Sequence, residues 1–226
     1  MSTRVAVEGA SCRPVPSSGA RATRLDGLRA EVPAALAALL AELAEPPPWD
    51  AAVAPDDPLA SWLAGAGFEP YARTVVLAAR ADAVRPAPLP RGVSVAQYRN
   101  EWAPAFQAAE AAAMAEVAFF RETGQPTGFE QAEGYGAFAV ARRGEEIVGF
   151  AQADLPDGWV NWIGVTPEER RTGIGRALAG EVADAVRRAR GTHVVAEVEE
   201  GTSGLAFWSA LGLRRRGESM YLIRRA

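Results

Sequence analysis

The stretch Val165-Thr-Pro-Glu-Glu-Arg-Arg-Thr-Gly-Ile-Gly-Arg-Ala-Leu178 joins the end of an apolar strand to a glycine-punctuated turn and then to an amphipathic helix. Such a junction binds phosphate. Gly173 and Gly175 let backbone N–H groups converge on an anion, while the helix adds its unsatisfied N–H groups and the positive end of its dipole. Arg170, Arg171 and Arg176 crowd the same turn with guanidinium donors suited to phosphate oxygens. Two common phosphate sites do not fit. The dinucleotide fingerprint needs a third glycine where Leu178 stands, and the P-loop needs a lysine, which this chain lacks.

What does fit is Arg170-x-x-Gly173-x-Gly175 after a strand that ends in Val-x-Pro. This resembles the acetyl-CoA pyrophosphate loop of the GNAT superfamily of N-acetyltransferases, whose pattern is Gln/Arg-x-x-Gly-x-Gly/Ala. The resemblance runs from about Val93 to the C-terminus in the order of elements expected of that fold. It implies an α/β class (an α+β mixed sheet), a GNAT-like fold with a central mixed β-sheet flanked by helices, and acetyl-CoA as cosubstrate. It further implies that strands 159–165 and 192–198 splay so that free backbone groups pair with the pantetheine arm. Ile163 and Val165 would offer main-chain bonds, and the N–H of Ile163 or Gly164 would poise the thioester carbonyl. Arg170, Arg171, Thr172, Gly173, Ile174, Gly175 and Arg176 would hold the pyrophosphate.

Acetyl transfer needs a neutral amine aligned with the thioester, a stabilised oxyanion and a proton for the departing thiolate. In similar enzymes a tyrosine on the last helix often supplies that proton, but the matching position here is Trp208, whose indole has no usable proton-transfer pKa. Trp208 is therefore expected to line the cofactor channel. Ser203 is a substitute contact where an asparagine is usual. The strand before the loop carries Trp159 and Asn161 where a base often projects, and neither is basic; Asn161 can orient a water. The remaining carboxylates near the expected cleft are Asp154, Glu197 and Glu199, the last two on one side of their strand by the two-residue period. Glu197, Glu199 and Asn161 are thus the catalytic candidates, against the plainer reading of the glutamates as solvated strand-end charges. His193, the only histidine, reads as a surface or edge-strand residue.

Composition narrows the field further. With a net charge of -4 and scattered arginines, the chain has no electrostatic footprint for nucleic acid. The longest apolar run, 33–43, is too short to span a bilayer and is interrupted by Glu42, and the N-terminus does not read as a secretory signal. Cys12 stands alone in a Ser/Pro-rich stretch, so the cytoplasm is the expected compartment. One histidine and one cysteine give no metal-ligand set. Partners are then a small-molecule amine acceptor, with no nucleic acid and no membrane, in a monomer or homodimer.

Three prolines within 85–92 mark a boundary, giving a degenerate GNAT-like half unit over 1–86 and an acetyl-CoA-binding domain over 91–226. Beyond it, strands are expected at 93–98, 138–142, 147–154, 159–165, 192–198 and 220–223. Helices are expected at 102–120, after the phosphate loop up to a cap at Gly191, and at 203–211 with Ser203 as its N-terminal cap. Trp102 and Phe106 read as core, whereas Phe120 to Phe129 brackets the break 124–128 and faces the substrate side. The half repeat rests on Leu59-Ala-Ser-Trp-Leu-Ala-Gly-Ala-Gly-Phe68 against Leu205-Ala-Phe-Trp-Ser-Ala-Leu-Gly-Leu213. Gly27, set beside Gly173, is expected to open its first helix, and Arg29 in the place of Gly175 denies that unit a phosphate loop. The favoured function is transfer of an acetyl group from acetyl-CoA to a primary amine of a small molecule. The alternative is a catalytically silent acyl-CoA-binding or interaction module.

Overall fold

The computed structural model describes residues 4–15, 23–43, 48–123 and 136–225. The sequence-predicted break at 124–128 and Phe129 lie outside the described residues. The strands are β1 (Val5–Val7), β2 (Ala10–Val15), β3 (Thr23–Ala30), β4 (Trp49–Val53), β5 (Glu69–Arg80), β6 (Val93–Gln97), β7 (Ala137–Arg143), β8 (Glu146–Ala153), β9 (Trp159–Val165), β10 (His193–Glu199) and β11 (Arg214–Arg224). The α-helices are α1 (Pro33–Ala41), α2 (Pro58–Gly65), α3 (Ala103–Met114), α4 (Ala118–Thr123), α5 (Ile174–Arg188) and α6 (Ser203–Ala210). The chain forms two compact units, one from 1–74, 118–126 and 218–226, the other from 75–117 and 127–217.

In the second unit the strand order is β5-β10-β9-β8-β7-β6, starting from residues 75–80 of β5. Strands β6 to β9 are antiparallel neighbours and β9 runs parallel to β10, so the sheet is mixed. Helix α5 covers one face because its apolar residues recur at helical spacing: Ile174, Leu178, Val182 and Val186 are all buried, with Glu181, Arg187 and Arg188 off that stripe. Gly149 lets it approach, since a Cβ there would lie 3.1 Å from both Ile174 and Leu178 side chains. Helix α3 covers the opposite face, where Phe106, Phe138 and Phe150 interlock with ring centroids 4.9 and 5.1 Å from Phe106. The proline-rich 85–92 segment belongs to this unit and packs on α5, where Pro86 sits so close to Gly180 that a Cβ would collide with it.

In the first unit the order is β1-β2-β3-β4-β11-β5, using the C-terminal part of β11 and the N-terminal part of β5. Leu36, Leu39, Leu63, Phe68 and Leu222 form its core. Each fully buried aliphatic or aromatic side chain of this kind contributes about 1.5–3 kcal/mol relative to exposure.

Four local expectations are corrected. Gly27 does not open a helix: it lies inside β3 at φ 60°, and α1 starts at Pro33, whose fixed φ suits a first helical position. Gly191 is not the left-handed cap of α5; Arg190 takes that conformation at φ 65°. The N–H of Gly191 bonds Val186 O and that of Arg190 bonds Arg187 O, a Schellman closure, and Gly191 is required instead because Pro156 O occupies the space of a Cβ. Thr202, not Ser203, is the N-cap of α6. The helix expected over 102–120 is broken into a short 3-10 turn, α3 and α4. At the break Val117 N–H bonds Met114 O rather than Ala113 O, and Ala113 O accepts from Arg170 at 3.2 Å.

Gly67 and Gly212 do play matching roles. Both are left-handed, at φ 85° and 91°, and both close α2 and α6 with the same bond pair, Phe68 N–H to Leu63 O and Leu213 N–H to Trp208 O.

A chain beginning at Pro90 lacks residues 75–80 of β5, and with them Val75 and Leu77, which are 1% and 2% exposed in the second unit's core. It also leaves β10 as a bare edge. Such a truncation is expected to aggregate or self-associate in light scattering after size exclusion. A monodisperse monomer melting at the full-length temperature would refute the strand assignment.

Candidate active site: an opened strand pair and a glycine turn

The site begins with a ladder that stops. Strands β9 and β10 pair only at Trp159↔Val195 and Ala196↔Val160, with Val195 N–H also bonding Gly158 O at 2.8 Å. Residue 161 is where the β8–β9 register shifts, from Ala153↔Val160 to Gln152↔Trp162. Asn161 is thus an extra residue in β9, and a bulge of this kind bends and twists its strand. From there β9 stays with β8, through Ala151↔Ile163 and Gly149↔Val165, while its other edge runs free of registered pairs with β10.

Backbone alternation decides which groups that edge offers. Thr166 N–H bonds Val148 O at 3.0 Å, so it points to β8, and Gly164 N–H two residues earlier points the same way. Ile163 and Val165 therefore turn their N–H groups to the open edge. Of Ile163 and Gly164, Ile163 is the one whose N–H faces the open edge. Gly164 has another requirement: a Cβ there would lie 2.5 Å from Phe150 Cζ and 2.9 Å from Ala113 Cβ, so glycine lets α3 close over the strand.

The turn from 166 to 173 carries the second half of the site. Arg171 is left-handed at φ 65° and Gly173 at φ 102°, and Gly173 is the N-cap of α5. Left-handed residues this close together turn successive N–H groups into one concavity, and the first turn of α5 adds more without intrahelical acceptors. Ile174 is fully buried, so only its backbone is available to a ligand. Gly175 packs on a ring, with a Cβ 3.3 Å from Phe207 Cε2 and 3.6 Å from Val165 Cγ2. Arg171 and Arg176 are exposed on this turn.

Arg170 is engaged within the protein. Its guanidinium meets Glu116 at 2.6 Å, Val165 O at 3.3 Å and Ala113 O at 3.2 Å, so it ties the turn to the end of α3. On the other side, Arg143 grips Glu169 through two bonds of 2.6 and 2.8 Å and also donates to Arg91 O. That bidentate grip holds the Glu169 carboxyl below its ordinary pKa. Neither Arg143 nor Glu116 was singled out from the sequence, because partners 26 and 54 residues distant leave no local signal.

The catalytic candidates fall around the parting of the strands. Val194, Ala196 and Val198 enter the core, so Glu197 and Glu199 share the opposite face of β10, both half-buried. Residues 161 and 197 are the first beyond the last registered pair. Asn161 Nδ2 donates to Asp154 Oδ1 at 2.9 Å, which fixes the amide. Ser203 is exposed in the first turn of α6 and Thr202 Oγ1 donates to Glu199 O. Trp208 is 2% exposed within the hydrophobic core, and the neighbouring Phe207 is the α6 ring that reaches the glycine turn. His193 is exposed, its Nδ1 2.9 Å from Thr192 Oγ1. Among the described residues no cluster of His, Cys, Asp or Glu has a metal-holding arrangement, and no helix is long and apolar enough to cross a membrane.

An opened parallel strand pair thus lies beside a left-handed, glycine-rich turn. The model of the acetyltransferase (GNAT) family matches residues 95–213, and the chain belongs to that family. Solved structures share the fold. A GCN5-related N-acetyltransferase from Kribbella flavida superposes with a TM-score of 0.70 at 20% identity, over 100% of this chain and 90% of that one. A tandem GNAT protein from the clavulanic acid biosynthesis pathway gives 0.68 at 19% identity, over 96% and 78%. A GCN5-related N-acetyltransferase from Sphaerobacter thermophilus gives 0.65 at 17%, over 96% and 76%. No curated protein matches the chain in sequence.

Replacing Gly164 by valine forces the added carbons into Phe150 and Ala113. The expected cost is about 2–3 kcal/mol, or a fall in melting temperature on the order of 4–12 °C by calorimetry. An unchanged melting temperature would mean that α3 does not close over β9 as described.

Proposed function

We propose that this chain transfers an acetyl group from acetyl-CoA to a primary amine of a small molecule. The observation that carries the reading is the free edge of β9 at Ile163 and Val165, leading straight into the Gly173–Gly175 turn. A pantetheine arm offers alternating amide donors and acceptors to such an edge, as a third strand would. Its pyrophosphate then falls on the N–H groups of residues 173–176, with Arg171 and Arg176 as exposed cations beside it. Arg170 positions this turn through Glu116 and the carbonyls of Ala113 and Val165.

In the transfer, a neutral amine nitrogen attacks the thioester carbonyl, the C–N bond forms and the C–S bond breaks. The proton lost by the amine balances the one gained by the thiolate. Ile163 N–H supports the developing oxyanion. Glu197 or Glu199, on the face of β10 beside the parting strands, takes the amine proton, directly or through a water oriented by the Asn161–Asp154 pair. Trp208, buried and without a transferable proton, leaves the thiolate to be protonated by solvent or by the glutamic acid that took the amine proton.

The same burial of Trp208 favours the second reading, an acyl-CoA-binding module without turnover. We also propose that the N-terminal unit is a degenerate GNAT-like copy that binds no CoA. Its β3-α1-β4-α2-β5 order matches β9-α5-β10-α6-β11, but only Glu31 and Val32 join β3 to α1, with no glycine turn and with a carboxylate where phosphate would have to sit.

Gly175→Glu drives a charged side chain into Phe207 and the pyrophosphate position. Calorimetry is expected to show one CoA per wild-type chain and none in the variant, with circular dichroism unchanged. Residual binding would move the site elsewhere. For catalysis, Glu197→Gln or Glu199→Gln is expected to lower kcat by about a hundredfold at neutral pH, the loss shrinking as pH rises and the amine deprotonates by itself. Tight CoA binding with no turnover of any amine in a broad panel would favour the silent module.

A further inference from the structure

One side chain on the α3 face of the second unit's sheet is out of keeping with its neighbours. Phe150 of β8 pairs with Gly164 of β9, and its ring lies 4.9 Å from that of Phe106 in α3, so this row faces α3. Two residues along, Gln152 of β8 pairs with Trp162 in β9 and with Phe138 in β7, which puts these three on the same face by the two-residue period. Gln152 is 2% exposed, and its Nε2 finds no hydrogen-bond partner among the described residues. Burying an amide donor unpaired is costly, and an apolar side chain of similar length beside Phe106, Phe138 and Phe150 would avoid that cost. A donor kept there calls for a group that arrives from outside.

The two glutamates offered as the base share this face. Val194, Ala196 and Val198 lie in one core with Ile174 and Leu178 of α5, so Glu197 and Glu199 stand on the side of Trp162 and Gln152. Ile163 and Val165 pack against that same core, which closes the α5 side of the thioester edge to an incoming amine. The acceptor therefore lies across β9 on the Trp162 side, between the glutamates at the parting of the strands and the Gln152 amide. Neighbouring strands lie about 4.8 Å apart, so a ligand arm on the open edge of β9 runs roughly 10 Å from the Gln152 backbone, and the side chain covers about half of that. Half-buried Trp162 gives the space between an apolar floor. Two carboxylates attract a protonated amine and repel a second carboxylate, while an amide N–H seeks an oxygen acceptor. A primary amine whose other end carries a neutral carbonyl meets both demands.

We propose that Gln152 is a specificity-determining residue for the acceptor, its amide donating to a neutral carbonyl oxygen that the amine substrate carries across Trp162. This rests on the acetyl-transfer reading above and adds to it the class of amine that the face selects.

The test uses the full chain and two matched sets of primary amines of different reach. One set is para-(aminomethyl)benzamide, para-(aminomethyl)benzoate and para-methylbenzylamine; the other is β-alaninamide, β-alanine and n-butylamine. In at least one set the wild type is expected to favour the amide over both analogues by about tenfold or more in kcat/KM. Gln152→Met, which keeps the length of the side chain without its amide, is expected to lower kcat/KM for the amide about tenfold and to leave the alkyl analogue within about threefold, so the preference vanishes. CoA affinity by calorimetry is expected to stay within about twofold of wild type. The melting temperature is expected to be equal or higher, because a buried unpaired donor has been removed. A wild type that favours the amide in neither set overturns the proposal, and so does an amide preference that survives in Gln152→Met. A lower melting temperature in Gln152→Met also overturns it, since the amide would then be bonded inside the protein. A wild-type chain that binds CoA but turns over no amine in a broad panel sinks the transfer reading and this proposal together; turnover of other amines with neither amide accepted sinks this proposal alone.

Discussion

The rest of the site depends on the short β9–β10 ladder. Parallel neighbours would ordinarily satisfy one another's backbone along their whole length, since unpaired buried amides are costly. Here the extra residue at Asn161 bends β9 after two pairs, and the strands part. Everything else either maintains that opening or exploits it. Phe150 and Ala113 close on Gly164 from one side, Ile174 and Leu178 close on Gly149 from the other, and the turn into α5 lies at the far end of the freed edge.

The turn itself is held by opposite charges more than by its own conformation. Arg143 holds Glu169 at its start and Glu116 holds Arg170 one residue on. Exposed pairs contribute little to global stability. Their effect is local: they fix the point from which Arg171 and Gly173 turn their N–H groups inward. Arg170 also bonds Ala113 O, so a residue expected at the phosphate links the glycine turn to the end of α3 as well.

How much of this was legible in the sequence depended on whether the signal was local. The glycine turn, the stripe of α5 and the β7–β8 hairpin were readable because each is written in adjacent residues at a fixed period. Glycine alone did not say why it was there. Gly27 and Gly191 were read as helix punctuation, but one bulges a strand and the other makes room for a carbonyl. The bond from Arg170 to Ala113 O at the end of α3 was invisible because the two residues lie 57 apart in sequence. Likewise the match that pointed to Trp208 could not show that its neighbour Phe207 is the residue facing the turn. The Asn161 bulge was hidden too, since an extra residue in one strand is apparent only against its partner.

The central claim is that the opened edge of β9 and the glycine turn form one continuous cofactor cradle. A crystal structure of the full-length protein grown with CoA tests it most directly. The account expects pantetheine amides hydrogen-bonded to the main chain of Ile163 and Val165, with the pyrophosphate on the N–H groups of residues 173–176. CoA bound elsewhere, or β9 and β10 zipped together beyond Val160 and Ala196 with the turn empty, would contradict it.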